Sequence, residues 1–119
     1  MKISGGITVK VSELADKLGL TIFGGASGLQ NEIKGGYTSD LLSDVMGHAC
    51  SNQVWITVQT HKNVIAVASL KELASIILIK GLEPAQEVIE QSDIEKIPLL
   101  GTKEEAFEIT GKIYNILKG

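Results

Sequence analysis

The sequence contains no arginine: all 11 of its basic residues are lysines, against 14 acidic residues, which gives a formal net charge of -3. Arginine is the side chain that most often forms paired hydrogen bonds with phosphate and with guanine. An acidic chain without arginine is poorly suited to bind nucleic acid. A small anionic ligand remains compatible with this composition, because backbone N–H groups and lysine can hold one. We therefore predict no nucleic-acid partner.

The sequence also has a single cysteine, Cys50. One thiol cannot form a disulfide within the chain, nor supply the ligands of an iron–sulfur cluster or a cysteine-rich zinc site. An unpaired thiol fits a reducing compartment. The first residues, MKISGGITVKVSEL, include no long apolar run, so we expect neither a signal peptide nor a membrane span. These observations predict a cytoplasmic protein with no membrane partner.

The length and hydrophobic content are those of one globular domain. The chain has 119 residues, of which 44% are hydrophobic, and a chain of this size can bury a core without disulfides or metals. No linker, repeat or low-complexity segment divides the sequence. We predict a single compact domain over residues 1–119.

Segments typical of strands alternate with segments typical of helices. Predicted strands, two of which run into glycine-containing turns, lie at 7–11, 20–28, 32–40, 53–59, 75–81 and 96–101. Predicted helices lie at 12–19, 40–49, 84–92 and 102–118, with predicted end signals at Ser12, Gly19, Pro84, Thr102 and Glu105. Such alternation predicts an α/β fold with a mostly parallel sheet flanked by helices.

The segment 62–72 and the residues just before it have two interpretations. The letters VIAVA could form a returning hairpin strand. Val64, Val67, Ala68 and Lys71 share one helical stripe, with Thr60 as a candidate N-cap and Asn63 at the third helical position. We favour the helix.

The stretch GGYTSDLLSDVMGHACSN, residues 35–52, holds several reactive side chains close together. A nucleophilic pair of Cys50 and His48 is conceivable, but residues two apart on a helix point in different directions. A free cysteine is more often a small buried hydrophobic residue. A metal site from His48, Cys50 and His61 has too few ligands at a recognised spacing. We predict no catalytic residues, no metal and no cofactor, and hence no enzyme.

Small and polar residues lie at the predicted carboxyl edge of the sheet. Gly35 and Gly36 are interpreted as a tight turn, and Asp40 as a residue of the first helical turn, where carboxylates are favourable. The glycine-rich stretch GGASG, 24–28, lacks the pattern of a phosphate-binding loop and is interpreted as a turn. Open α/β sheets bind ligands at this edge. The predicted ligand-binding residues are Thr38, Ser39, Thr60, His61, Asn63 and Gly81.

Three segments together resemble the DRTGG domain: GGYTSDLLSDVMGHA, VWITVQTHKNVIAVASLKELASIILIKGLEP and IPLLGTKEEAFEITGKIY. The resemblance runs from about Val9 to Tyr114. It concerns the spacing of apolar blocks, and the chain departs from the usual double glycine at Lys80-Gly81-Leu82. The resemblance implies a regulatory or oligomerising accessory domain of the kind found in some phosphotransacetylases and CBS-containing pyrophosphatases, and related to domains of HPr kinases.

Three functions are compatible with these observations. The first is a stand-alone regulatory or sensor module that binds a small anionic ligand, such as a nucleotide, at the carboxyl edge. The second is a structural or protein-interaction domain without a ligand, tied to a partner enzyme. The third, a small enzyme using Cys50 or His61, lacks a catalytic signature. The apolar runs VIAVASL and SIILI also predict a homodimer.

Overall fold

The computed structural model describes residues 8–118. Its strands are β1 (Val9–Lys10), β2 (Thr21–Gly24), β3 (Glu32–Ile33), β4 (Gly35–Thr38), β5 (Gln53–Thr57), β6 (Ser75–Leu78) and β7 (Leu99–Gly101). Its helices are α1 (Val11–Leu18), α2 (Leu42–His48), α3 (Asn63–Leu70), α4 (Gln86–Glu95) and α5 (Ala106–Lys118), with a 3-10 turn at Ala26–Gly28.

Within these residues the main sheet has five strands in the order β2-β7-β6-β5-β4. Strands β4 to β7 run parallel, and β2 pairs antiparallel with β7 at one edge. A second, two-stranded antiparallel sheet joins β1 to β3. The predicted α/β class with a mostly parallel sheet is confirmed.

Helices cover both faces of the main sheet because its central strands are apolar on both sides. Ile56 of β5 lies beside Ile77 of β6 in the core under α1 and α5. The next pair in register, Trp55 and Ile76, belongs to the core under α2, α3 and α4. Every residue of β6 is buried, as expected for a central parallel strand.

The ambiguous segment is a helix, but its predicted cap is wrong. Helix α3 begins at Asn63, so Asn63 is its first residue, and Lys62 rather than Thr60 occupies the N-cap position. The backbone N–H of Asn63 donates to Nδ1 of His61 at 3.1 Å. The chain needs residues 58–62 to leave β5 before it can turn into the helix, which places Thr60 too early to cap it.

Other predicted helix starts are also displaced, and at α1 distant backbone carbonyls accept the N–H groups of the first turn. Ser12 lies inside α1, and its N–H donates to the carbonyl of Leu29 at 2.9 Å. Pro84 precedes the N-cap residue Ala85. Thr102 does not cap α5, which begins at Ala106; its hydroxyl instead accepts the N–H of Glu104 at 3.2 Å. Gly19 does end α1 in the left-handed conformation, with φ 61°.

Two predicted strands, 32–40 and 7–11, differ in the structure from the prediction. The segment 32–40 contains two strands, β3 and β4, which belong to different sheets. Gly35 and Gly36 lie inside β4 rather than in a tight turn, and that interpretation was wrong. The predicted strand 7–11 is reduced to Val9–Lys10, and Ile7 lies outside the described residues.

The glycine-rich stretch 24–28 is a turn, as predicted, and its glycines allow close packing against the end of α4. Gly25 has φ 72°, and a Cβ there would overlap the backbone carbonyl of Ile97. The N–H of Gly25 donates to the Asp93 carboxylate at 2.7 Å. The stretch therefore serves packing between β2 and α4. None of the helices within residues 8–118 is long and apolar enough to cross a membrane.

Replacing Gly25 with alanine should destabilise the fold strongly. Left-handed strain costs about 1–2 kcal/mol, and overlap with the Ile97 carbonyl adds to it, so we expect a loss of about 3 kcal/mol or more. Gly19→Ala is the matched control, because Gly19 shares the positive φ but a Cβ there meets nothing within 4 Å; we expect a loss of about 1 kcal/mol. Urea unfolding measures both, and equal losses would contradict the packing role of Gly25.

Candidate functional site

The four parallel strands end at one edge of the sheet, and the connections 39–41, 58–62, 79–85 and 102–105 form what we call the carboxyl edge. Thr38 ends β4 and Asn63 begins α3, while Ser39, Thr60, His61 and Gly81 lie in the connections between. All six predicted ligand-binding residues therefore lie at or beside this edge.

Three of these six residues line three separate cavities. Thr38 lines a groove between β4 and α5, Asn63 lines a groove between α3 and α4, and Gly81 lines a small cavity of about 110 Å³ beside β2 and β7. A shared ligand site at the carboxyl edge stays a prediction.

Asp40 links the first two connections of the carboxyl edge. Its Oδ1 accepts the N–H of Val58 at 3.1 Å and the hydroxyl of Thr57 at 3.3 Å. Its carbonyl accepts the side-chain amide of Gln59 at 2.8 Å. Helix α2 begins only at Leu42, so the interpretation of Asp40 as part of the first helical turn was wrong. Because the Asp40 carboxylate accepts the N–H of Val58, this N–H is not available to a bound anion.

Backbone hydrogen bonds also join the other two connections, 79–85 and 102–105. The N–H of Lys80 donates to the carbonyl of Glu104, and the N–H of Gly81 donates to the carbonyl of Thr102, both at 2.9 Å. Both Lys80 and Gly81 have positive φ, 62° and 71°. Since the N–H groups of Lys80 and Gly81 are paired, they are not available to an anion at the carboxyl edge.

A second candidate site, the β4–α5 groove, lies on one face of the outer strand β4. It has a volume of about 300 Å³ and is lined by Lys34, Gly35, Gly36, Thr38, Gln53, Ile56, Thr110, Ile113, Tyr114, Leu117 and Lys118. Gly36 is in register with Val54, and a Cβ there would meet Val54 only at ordinary contact distance, 3.5 Å. The groove exists because Gly36 has no side chain to fill the space beneath α5.

The β4–α5 groove combines an apolar floor with polar ends. Ile56 and Ile113 are buried at its base, and the hydroxyls of Thr38 and Thr110 lie 2.8 Å apart. Among residues 8–118, neither Lys34 nor Lys118 forms an ion pair with a carboxylate.

An exposed aromatic ring completes this groove. Tyr114 is 61% exposed, and the ammonium of Lys118 lies 5.8 Å from the centre of its ring. Such a surface suits a flat ring that carries an anionic group. Of the residues that line this groove, only Thr38 was predicted from the sequence to bind a ligand. The signal that could have indicated the groove is the double glycine, Gly35 and Gly36, within a strand.

Tyr37, Asp44 and His48 form a hydrogen-bonded cluster on the other face of β4. The hydroxyl of Tyr37 donates to the Asp44 carboxylate at 3.0 Å, and Nδ1 of His48 lies 3.2 Å from it. Hydrogen bonds from Ser39 first, and then from Tyr37, hold the pKa of Asp44 below its ordinary value of 3.8. Partial burial, and then the Asp44 carboxylate, raise the pKa of Tyr37. The cluster ties α2 to β4.

Cys50 lies outside both candidate sites. It is exposed in the connection between α2 and β5, so the interpretation of Cys50 as a buried hydrophobic residue was wrong. Its thiol is 3.9 Å from the carbonyl oxygen of His48, rather than facing the imidazole. Across residues 8–118, no three His, Cys, Asp or Glu side chains are grouped to hold a metal ion.

No protein-family model and no curated protein matches the chain. The chain does resemble a solved structure of the CBS and DRTGG domains from the regulatory region of Clostridium perfringens pyrophosphatase, complexed with its activator, diadenosine tetraphosphate. The TM-score is 0.69 at 13% identity, over 86% of this chain and 44% of that one. The chain thus spans less than half of that structure. The likeness supports the DRTGG resemblance at the level of the fold.

Stability should depend on the ionisation of Asp44. Because the folded-state pKa of Asp44 is lowered, its contribution is fully present above its ordinary value of 3.8 and is lost as the pH falls through the folded-state value. We expect Asp44→Asn to be less stable than the wild type at pH 7, with the difference shrinking in acid. Urea unfolding from about pH 3 to 7 measures it.

Tyr37→Phe is the companion variant, since it removes one of the donors and leaves the carboxylate. It should reduce the acid dependence without abolishing it. A difference between Asp44→Asn and wild type that stays the same at every pH would contradict the role of the ionised carboxylate.

Proposed function

We propose that this chain is a regulatory module that binds a small anionic ligand of the nucleotide class in the β4–α5 groove. The observation that carries the proposal is the meeting of Tyr114 with two lysines, Lys34 and Lys118, over an apolar floor. Lysine ammonium groups can hold a phosphate without arginine, and the exposed ring of Tyr114 offers a face on which a base can stack. The volume of about 300 Å³ is at the lower end for a small-molecule site.

The structural likeness to a regulatory region supports a regulatory, ligand-binding function for this chain. The Clostridium perfringens regulatory region is complexed with a nucleotide activator. By analogy, the present module would transmit occupancy of its groove to a partner enzyme. The exposed, unpaired thiol of Cys50 supports the cytoplasmic location.

A non-enzymatic role is part of the proposal. The hydroxyls in the β4–α5 groove, those of Thr38 and Thr110, bond to each other rather than to a general base. His61 lies at the carboxyl edge, where its Nδ1 accepts the N–H of Asn63. Neither arrangement supplies the nucleophile with an adjacent base that covalent catalysis requires.

The carboxyl edge remains a second location for the same ligand. Thr38 belongs to both sites, whereas Ser39, Thr60, His61, Asn63 and Gly81 belong to the carboxyl edge alone. His61 and Lys34 therefore separate the two locations experimentally.

Thermal shifts with ADP and with inorganic pyrophosphate test the proposal. A ligand at about a hundred times its dissociation constant stabilises the fold by roughly 2.7 kcal/mol, which raises the Tm by several degrees. We expect ADP to stabilise the wild type and His61→Ala equally. Lys34→Ala should reduce the shift, because it removes an ammonium group from the groove.

Gly36→Val is a second variant for this test, because it fills the β4–α5 groove. Its Cβ fits beside Val54 and its backbone has no positive φ, so the fold should survive while the methyl groups fill the groove and abolish the shift. Loss of the shift in His61→Ala alone would place the ligand at the carboxyl edge. No shift with either anion at millimolar concentration would overturn ligand binding by nucleotides.

A second candidate function, assembly into a homodimer, is favoured by the outer face of α5. Phe107 is 87% exposed on this helix, and Tyr114 lies two turns further along the same helix. Together with Ala106 and Gly111 they line a shallow, mostly apolar depression of about 620 Å³. Contiguous apolar surface of this kind marks interaction sites on soluble proteins.

A further inference from the structure

We infer that the hydroxyl pair of Thr38 and Thr110 determines the specificity of the β4–α5 groove, by binding the polar edge of a nucleotide base. This inference rests on the proposed function and deepens it. It fixes the direction in which the ligand lies and predicts which bases the groove accepts.

The β4–α5 groove has two chemically different ends. Thr110, Tyr114 and Lys118 lie on successive turns of α5, so about 12 Å separates the backbone of the first from that of the last. On the strand side, Lys34 precedes Thr38 by four residues, which is about 13 Å of extended chain. All five residues line one groove, and the two hydroxyls are 2.8 Å apart. The hydroxyls therefore mark one end of the groove and the two ammonium groups the other.

The charges of the groove set the orientation of an anionic ligand. Of the residues that line it, only Lys34 and Lys118 are charged, and both belong to the same end. The carbonyl groups at the C-terminus of α5 lie at that end as well, but their partial charge amounts to about half an elementary charge. Two ammonium groups outweigh it. The phosphate groups of a nucleotide therefore lie at the lysine end.

The base then extends towards the hydroxyl pair. Tyr114 lies one helical turn from each end, and its exposed ring is the surface on which the base stacks. Leu117, next to Lys118 in the sequence, lines the same groove and offers an apolar contact to the sugar. A base on Tyr114, with its phosphates at the lysine end, points its far edge at Thr38 and Thr110.

The hydroxyl pair can form two hydrogen bonds with that edge. One hydroxyl donates to the other, and either of them can be the donor. The pair is then left with one O–H group to donate and with lone pairs to accept, on oxygens 2.8 Å apart. The Watson–Crick edge of a base carries a donor beside an acceptor, and proteins bind unpaired bases along this edge. The hydroxyl pair is complementary to such an edge.

The order of donor and acceptor on the base does not matter, because the hydrogen bond between the two hydroxyls can reverse its direction. Adenine carries an amine donor at C6 beside a ring-nitrogen acceptor. Guanine carries a carbonyl acceptor at C6 beside a ring N–H donor. We expect the groove to accept both bases, and to bind a purine without a polar group at C6 less tightly.

Titration calorimetry with three diphosphates tests this expectation. ADP and GDP should bind the wild type with dissociation constants within about threefold of each other, since both form the same two hydrogen bonds. Purine riboside 5′-diphosphate has hydrogen in place of the C6 amine of ADP. It should bind about three- to tenfold more weakly than ADP, which is the usual effect of one hydrogen bond.

Thr110→Val and Thr38→Val are the matching variants, because valine has nearly the shape of threonine without the hydroxyl. In either variant the remaining hydroxyl can form one hydrogen bond with each ligand, so ADP should lose its advantage over purine riboside 5′-diphosphate. The dissociation constant of pyrophosphate should stay the same. Thr21→Val is the control, since Thr21 is exposed in β2 at the opposite edge of the main sheet, and ADP should keep its advantage in this variant.

A purely structural hydroxyl pair, which only holds α5 against β4, would give a different result. Loss of the Thr38–Thr110 bond would then lower the Tm and weaken every ligand alike, pyrophosphate included, while ADP kept its advantage. That result would overturn the inference. Equal affinities of the wild type for ADP and purine riboside 5′-diphosphate would overturn it too.

The outcomes also separate this inference from the proposed function. If Lys34→Ala weakens ADP binding but the two valine variants leave the preference for ADP unchanged, only the role of the hydroxyl pair is overturned. If ADP does not bind, or binds independently of Lys34 and Thr110, ligand binding in the β4–α5 groove is overturned as well. Thr110 is the decisive residue because, unlike Thr38, it does not belong to the carboxyl edge.

Discussion

The burial of β5 and β6 on both faces is the constraint on which the rest of the fold depends. Every residue of β6, and Val54 through Thr57 in β5, is buried, so helices must cover the sheet from both sides. The indole N–H of Trp55 also donates to the carbonyl of Ser39 at 2.8 Å. A core side chain thereby fixes the connection that leads from β4 to α2, which is where the carboxyl edge begins.

Much of the fold could be predicted because it depends on local patterns. Apolar runs identify β5 and β6, and the stripe of Val64, Val67 and Ala68 identifies α3. The start of α1 could not be predicted, because its first N–H groups bond to the carbonyls of Leu29 and Asn31, which sequence periodicity does not reveal. The same holds for the antiparallel placement of β2 beside β7, since either edge of the sheet would accept a short strand.

The candidate site was harder to predict than the fold because it depends on which donors remain unpaired. At the carboxyl edge, N–H groups of Val58, Lys80 and Gly81 already have partners. In the β4–α5 groove, the missing side chain of Gly36 and the position of β4 at the edge of the sheet leave space and two lysines exposed. A double glycine in a sequence is ordinarily interpreted as a turn, and only the strand register shows that one of these glycines opens a groove.

The pairing of β2 with β7 has a consequence for how the chain folds. Ile22 pairs with Leu100, and Gly25 bonds to Asp93, 68 positions further along. Contacts between segments so far apart in sequence form slowly, since a long loop must close first. During synthesis on the ribosome, β2 therefore emerges well before the strand it pairs with and must wait until β7 has been made. Until then the backbone of β2 lacks its partner strand, and the edge of the main sheet that β2 occupies stays incomplete.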